Sequence, residues 1–239
     1  MWVALDTATD RASVALGTPG TVALLEENIQ GARRHAAALL PSIEALLGRA
    51  GATLDDVRGV ALSDGPGSFT GLRVGAALVK ALARARRLPF WTAPSLMVRA
   101  AGVAEPNQLV VAIGNALRGE VYSAGYRFTP TEIVTELIPS VRRPGELMGS
   151  AIAPDRVVGE AAPAVLEQLA DWAGMPVIGP PDSLPRASHL LNLVGRLGGA
   201  HEVVAVGEWE PVYGRPAEAQ VRWEKAHGRP LPDPVGGSR

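Results

Sequence analysis

Twelve residues, Asp64-Gly65-Pro66-Gly67-Ser68-Phe69-Thr70-Gly71-Leu72-Arg73-Val74-Gly75, carry four glycines, two hydroxyls and a carboxylate. They follow the apolar run Val60-Ala61-Leu62 and open an apolar helical pattern, so they read as strand, glycine-rich loop, helix. Such a loop frees backbone N–H groups at a helix start, where the helix dipole favours an anion. A phosphate held by Gly65, Gly67, Ser68, Thr70 and Gly71 is the chemistry this spacing would support. Three features oppose it. The Lys-Ser/Thr ending of a Walker loop is missing and the glycine spacing is not the dinucleotide fingerprint, and Pro66 removes one N–H. The alternative is a tight turn that lets a helix pack close to a sheet.

A second candidate is Asp6, which ends the first strand beside the hydroxyls of Thr7 and Thr9. It could hold Mg²⁺ or act as a carboxylate base; equally, it could cap its own turn. The four histidines, His35, His189, His201 and His227, include no pair at helical metal spacing and no His-Glu-x-x-His. No Gly-x-Ser-x-Gly elbow exists either, since Gly65-Pro66-Gly67-Ser68-Phe69 fails at both flanks. The absence of cysteine removes disulfides, thiolate nucleophiles and Cys-based zinc sites. A net charge of −1 supplies no global field for nucleic acid or an anionic membrane, so RNA contact must be local or made through a partner. The first residues show no signal-like pattern and no run approaches a membrane span, so a soluble cytoplasmic chain is expected.

Elements alternate in a way that positions these groups. Trp2–Leu5, Ser13–Leu16 and Thr21–Leu25 read as strands, the last two joined by the turn Thr18-Pro19-Gly20. A helix from Arg33 to Ala50 stops at Gly51, and Thr53 with Asp56 forms a capping box. Arg58–Ser63 reads as a strand and Gly71–Arg86 as a helix, which argues for an α/β layer fold rather than a bundle. Strands at Leu109–Ile113, Glu120–Tyr126 and Ile133–Ile138 repeat the opening order around the polar break Asn115–Gly119 and the turn Thr129-Pro130. This weak repeat predicts two related halves facing across a cleft. Helices near Ala162–Trp172 and Arg186–Leu197 follow, and a proline- and glycine-rich, loosely ordered tail is expected over 222–239.

Two of the helices carry more apolar surface than one sheet can cover. In Gly71–Arg86 the charges Arg73, Lys80 and Arg84 cluster, leaving an arc of roughly 260° of Gly, Ala, Val and Leu against the ~100° stripe of a one-sided helix. The helix around Leu39, Leu40, Ile43, Leu46 and Leu47 presents one large-residue stripe to the sheet, with Ala37, Ala38, Pro41, Ala45 and Gly48 opposite. These helices either bury each other or dock on another protein through Ala37, Ala38, Pro41, Ala45, Gly75, Ala77, Leu78, Ala81 and Leu82. A homo- or heterodimer is the expectation.

The segments Val3–Thr9, His35 with Leu39-Leu40-Pro41, and Asp64–Gly75 resemble the bacterial TsaB family, formerly called YeaZ, as do Arg118–Tyr122 and Glu210–Tyr213. The similarity runs in order from about residue 2 to about 215. The resemblance implies two ribonuclease-H-like halves of the actin/hexokinase/DnaK-ATPase superfamily. The first would span 1–105, completed by a C-terminal helix at about 186–215, and the second 106–185. It also implies a part in making threonylcarbamoyladenosine beside the anticodon of tRNAs that read codons starting with A. In that family TsaB is a dimerisation and scaffold subunit. It pairs with its catalytic paralogue TsaD, joined by the ATPase TsaE, while TsaC makes the threonylcarbamoyl donor; TsaB self-associates without TsaD. Contact with tRNA would be indirect. TsaD-like proteins hold metal with two helical histidines, which Gly71–Arg86 lacks.

The chain departs from the family pattern at Asn115-Ala116-Leu117, where Asp-Ala-Arg is usual, and at Gly214, where leucine is frequent. ATP or ADP with Mg²⁺, at a degenerate cleft or a subunit junction, stays open. So does the rival reading, a small-molecule kinase or weak ATPase using Asp6 and the Gly65–Gly71 loop. A metalloprotease has almost no support in the sequence.

Overall fold

The computed structural model describes residues 1–21, 23–31, 35–116 (of 35 and 36 the backbone alone), 118–214 and 226–228. Leu117 and the tail beyond Arg222, apart from 226–228, lie outside the described residues. The chain opens with β1 (Trp2–Asp6), β2 (Arg11–Gly17) and β3 (Leu25–Gln30), then α1 (His35–Arg49), β4 (Gly59–Ser63), α2 (Phe69–Arg86), β5 (Phe90–Ala93) and α3 (Ser95–Ala101). It continues with β6 (Leu109–Asn115), β7 (Val121–Phe128), β8 (Ile133–Arg142), α4 (Pro144–Met148), β9 (Arg156–Gly159), α5 (Pro163–Ala173), α6 (Ala187–Leu193) and β10 (His201–Glu202).

The strands form two sheets, ordered β10-β5-β4-β1-β2-β3 and β8-β7-β6-β9. In each, three consecutive antiparallel strands are followed by a crossover to a strand parallel to the first, β4 on β1 and β9 on β6. The repeat read from sequence is therefore real, and both halves are ribonuclease-H-like.

Alternation along the first sheet separates two cores. Val3, Leu5, Val14, Leu16, Val60 and Leu62 face α1 and α2. Ala4, Ala15, Ala61 and Ala93 face the other way, toward α3, α6 and the second sheet. These small residues let α6 lie close to β1, β2 and β4. Its start is pinned by the Ala187 N–H donating to Ser13 Oγ at 2.7 Å and by Ser188 donating to Glu26 from its N–H (3.1 Å) and hydroxyl (3.0 Å). A third core joins the second sheet to α4 and α5.

Three expectations need correction. The third strand is Leu25–Gln30, not Thr21–Leu25. The Thr18–Thr21 turn forms, with the Thr21 N–H donating to the Thr18 carbonyl at 3.2 Å, but β3 is an edge strand whose outer face is polar, so the apolar run beside it misled. The helix expected over about 186–215 stops at Leu193, and Gly195 and Gly198 turn the chain with positive φ. Leu40 is 39 % exposed, outside the stripe of Leu39, Ile43, Leu46 and Leu47. β5, α3, α4, β9 and β10 had no counterpart in the sequence reading.

Glycine placement gives a test with opposite signs at two helix positions. A Cβ at Gly71 would overlap the Thr7 carbonyl oxygen, whereas one at Gly48 meets nothing within 4 Å. Gly71→Ala should cost about 1–3 kcal/mol through overpacking, and Gly48→Ala should gain up to about 1 kcal/mol from helix propensity. Urea unfolding of both variants checks the pair.

Candidate functional site

The candidate site forms where the parallel strands β1 and β4 end side by side. Asp6 is fully buried at the end of β1. Its Oδ1 accepts the Ala8 N–H at 3.1 Å, so the turn-capping role is realised with one oxygen. Its Oδ2 is buried without a hydrogen-bond partner of good geometry, as are Thr7 Oγ1 and Ser63 Oγ. Burial raises the Asp6 pKa, opposed by the neighbouring Ser63 hydroxyl, the Ala8 N–H and the Arg99 charge. Thr9 stands apart, its hydroxyl donating to the Arg11 carbonyl at 2.7 Å.

From β4 the chain passes over this end and into α2. Cβ atoms at Gly67, Gly71 and Gly75 would overlap Ala8, the Thr7 carbonyl and the Thr7 hydroxyl respectively. Gly65, at φ +111°, would strike the Val212 carbonyl. The four glycines therefore press loop and helix against the β1 end and the C-terminal segment. Three of the loop's donors are also engaged. Gly65 N–H donates to Ser95 Oγ (3.0 Å), Ser68 N–H to the Ala8 carbonyl (2.7 Å), and Gly71 N–H to the capping Ser68 Oγ (3.2 Å). Thr70 is exposed on the first turn of α2. Asp6, Thr7, Gly65, Gly67, Ser68 and Gly71 thus converge, with the N–H groups of Gly65, Ser68 and Gly71 turned to protein acceptors.

A second set of polar groups lines the space between the sheets and is absent from the sequence candidates. Asp64 is buried and its carboxyl is pushed up to about 6, desolvation outweighing the Thr92 hydroxyl. Tyr126 on β7 is fully buried, its hydroxyl without a partner and its pKa raised by burial and by Asp64. Arg99 on α3 is 5 % exposed with Nη1 unpartnered. Burial lowers its pKa, offset by Glu160 after β9 and by Asp6. The sequence signal for Arg99 was one charge within the otherwise small and apolar Ser95–Ala101. Among the described residues no group of three His, Cys, Asp or Glu could hold a metal ion, and no helix is long and apolar enough to cross a membrane.

The other candidate surface is the outside of α1 and α2. Gly71, Leu72, Gly75, Ala76, Val79 and Ala83 are the buried residues of α2, an arc of about 140° at ~100° per residue. Gly75 therefore faces the sheet and is not on an outer docking face, contrary to expectation. Ala37, Pro41, Ala45, Ala77 and Ala81 are exposed, and Ala38, Leu78 and Leu82 are half-buried against the first core.

Comparison with known proteins fits this architecture. A family model described as "TsaD: tRNA N6-adenosine threonylcarbamoyltransferase" matches residues 29–176. A transferase of that name from Syntrophus aciditrophicus is 43 % identical, but over 58 residues, 24 % of this chain and 17 % of that protein. By contrast, the "tRNA threonylcarbamoyladenosine biosynthesis protein TsaB" of Escherichia coli K12 is 32 % identical over 95 % of this chain and 98 % of its own. The chain belongs to the TsaB family. The TsaB of Haemophilus influenzae agrees, at 31 % identity over 95 % of this chain and 97 % of its own. A crystal structure of a Pseudomonas aeruginosa protein described as similar to peptidase YEAZ superposes with a TM-score of 0.69, at 29 % identity, over 90 % of this chain and 99 % of that one.

The buried Asp64 predicts a pH signature. Its folded pKa of about 6 exceeds the usual 3.8, so the ionised form destabilises the folded state. The folded state carries no such penalty below about pH 4 and loses up to about 3 kcal/mol as pH rises through 6. Asp64→Asn should leave thermal stability unchanged at pH 4 and raise it at pH 8, as read by calorimetry.

Proposed function

We propose that this TsaB-family chain serves tRNA threonylcarbamoyladenosine biosynthesis as a non-catalytic pairing and scaffold subunit. It docks on the transferase TsaD through the outer faces of α1 and α2. The observation that carries this reading is the exposed small-residue surface of Ala37, Pro41, Ala45, Ala77 and Ala81. Small side chains let a partner's helices approach closely and accumulate dispersion contacts. The net charge of −1 supports indirect rather than direct contact with tRNA. In the absence of TsaD the same surface pairs with a second copy of the chain.

The kinase or ATPase reading draws support from Asp6 Oδ2, a buried acceptor without a partner. The Gly65–Gly71 loop fits a nucleotide phosphate poorly, because the N–H groups of Gly65, Ser68 and Gly71 already have acceptors. ATP or ADP bound at a subunit junction would belong to the complex rather than to this loop.

Light scattering after size exclusion, on the chain alone and mixed with TsaD, tests the pairing. A one-to-one complex that displaces the homodimer is expected. Ala77→Glu or Ala81→Glu buries an unpaired carboxylate at the junction and should weaken pairing by at least about thirty-fold, corresponding to ~2 kcal/mol, with monomer stability little changed. Normal pairing by both variants would place the docking face elsewhere.

A further inference from the structure

The segment Trp209–Gly214 follows β10 and crosses from one half of the molecule to the other. At the first half it is fastened to α2 by Lys80 Nζ, which donates to the Trp209 carbonyl at 2.7 Å and pairs with Glu210 at 3.1 Å. The Trp209 ring meets Phe90 of β5 edge-on, with centroids 4.9 Å apart. Further along, the Val212 N–H donates to the Asp64 carbonyl at 2.7 Å, and the Val212 carbonyl lies against Gly65. The Tyr213 ring packs on Phe69 at 4.8 Å. Gly214 then reaches the second half. Its φ is +70°, and a Cβ there would lie 2.5 Å from the Tyr122 ring of β7 and 2.9 Å from Pro66.

We propose that Trp209–Gly214 is a clasp that fixes the two sheets relative to one another beside the buried Asp64. Lys80 is its fastening on the first half and the Gly214–Tyr122 contact its fastening on the second. The halves share α3, α6 and one buried apolar core that includes Ala4 and Ala61 of the first sheet and Ala112 and Ala124 of the second, and the clasp adds a tie at the edge away from those helices. The clasp supplies the tie with backbone, so it works without a ligand. Gly214 is the position that makes this geometry available, since a side chain there would displace Tyr122 or Pro66. The inference is independent of the pairing partner.

Cysteine is absent from the chain, so spin labels go only where they are placed. Gly48→Cys on α1 and Thr135→Cys on β8, both exposed, report the separation of the halves by pulsed electron paramagnetic resonance. Diluted into excess unlabelled chain, so that pairing adds no distances between copies, the otherwise unaltered chain should give one narrow distance distribution. Tyr122→Ala and Gly214→Val, which break the same contact from opposite sides, should each at least double its width. Lys80→Met should broaden it less, because Phe90 and Phe69 still hold the segment. Unchanged widths in Tyr122→Ala and Gly214→Val, with native circular dichroism, would overturn the proposal. If Gly214→Val does not fold, Tyr122→Ala alone decides.

Discussion

The close approach of backbone to backbone at the end of β1 is the constraint on which the rest of the structure depends. Gly67, Gly71 and Gly75 lie against Ala8 and Thr7 with no room for a Cβ. Because they do, α2 sits low on the sheet and buries Ala76, Val79 and Ala83 against it. The loop spends three of its N–H groups, those of Ser68, Gly71 and Gly65, on the Ala8 carbonyl, Ser68 and Ser95. A glycine-rich loop before a helix is often read as a phosphate site. Here the same composition serves packing, and three of the N–H groups that could meet a phosphate, those of Gly65, Ser68 and Gly71, already meet protein.

That packing gives α2 two opposed roles. Its sheet side is held by glycine and alanine contacts, while its outer side keeps Ala77 and Ala81 exposed beside Arg73 and Arg84. A helix locked this firmly on one face can offer a rigid surface on the other, which is the property pairing requires. Between the sheets the interior is polar where it need not be for stability. Asp6, Asp64, Arg99 and Tyr126 are buried with atoms unpaired or carboxyl pKa values raised, an arrangement that costs stability.

Much of this was legible in the sequence, and what was not has identifiable causes. The repeated order of three strands and a crossover showed because β1, β2, β6 and β7 are apolar runs bounded by turn residues. The capping box at Thr53 and Asp56 formed as read. β3 was misplaced because an edge strand with Glu26, Glu27 and Asn28 lacks the apolar signal that the turn beside it carried. α3 escaped notice because six of its seven residues are buried, so no polar face marks a helical period. The interior site was half legible. Asp6 stood out by its place at a strand end, whereas Arg99 and Tyr126 join it only through tertiary folding. The direction of Gly75 depended on helix phase, which the alanine-rich composition of α2 left open.

The central claim is that the glycine loop is a packing device, and from it we infer that the isolated chain holds no nucleotide beside Asp6. Isothermal titration of the chain with ATP and with ADP, each with Mg²⁺ to millimolar concentration, tests it most directly. The account predicts no saturable heat. Saturable binding that is lost in Asp6→Ala would contradict it, and would return the loop and Asp6 to the phosphate chemistry their composition first suggested.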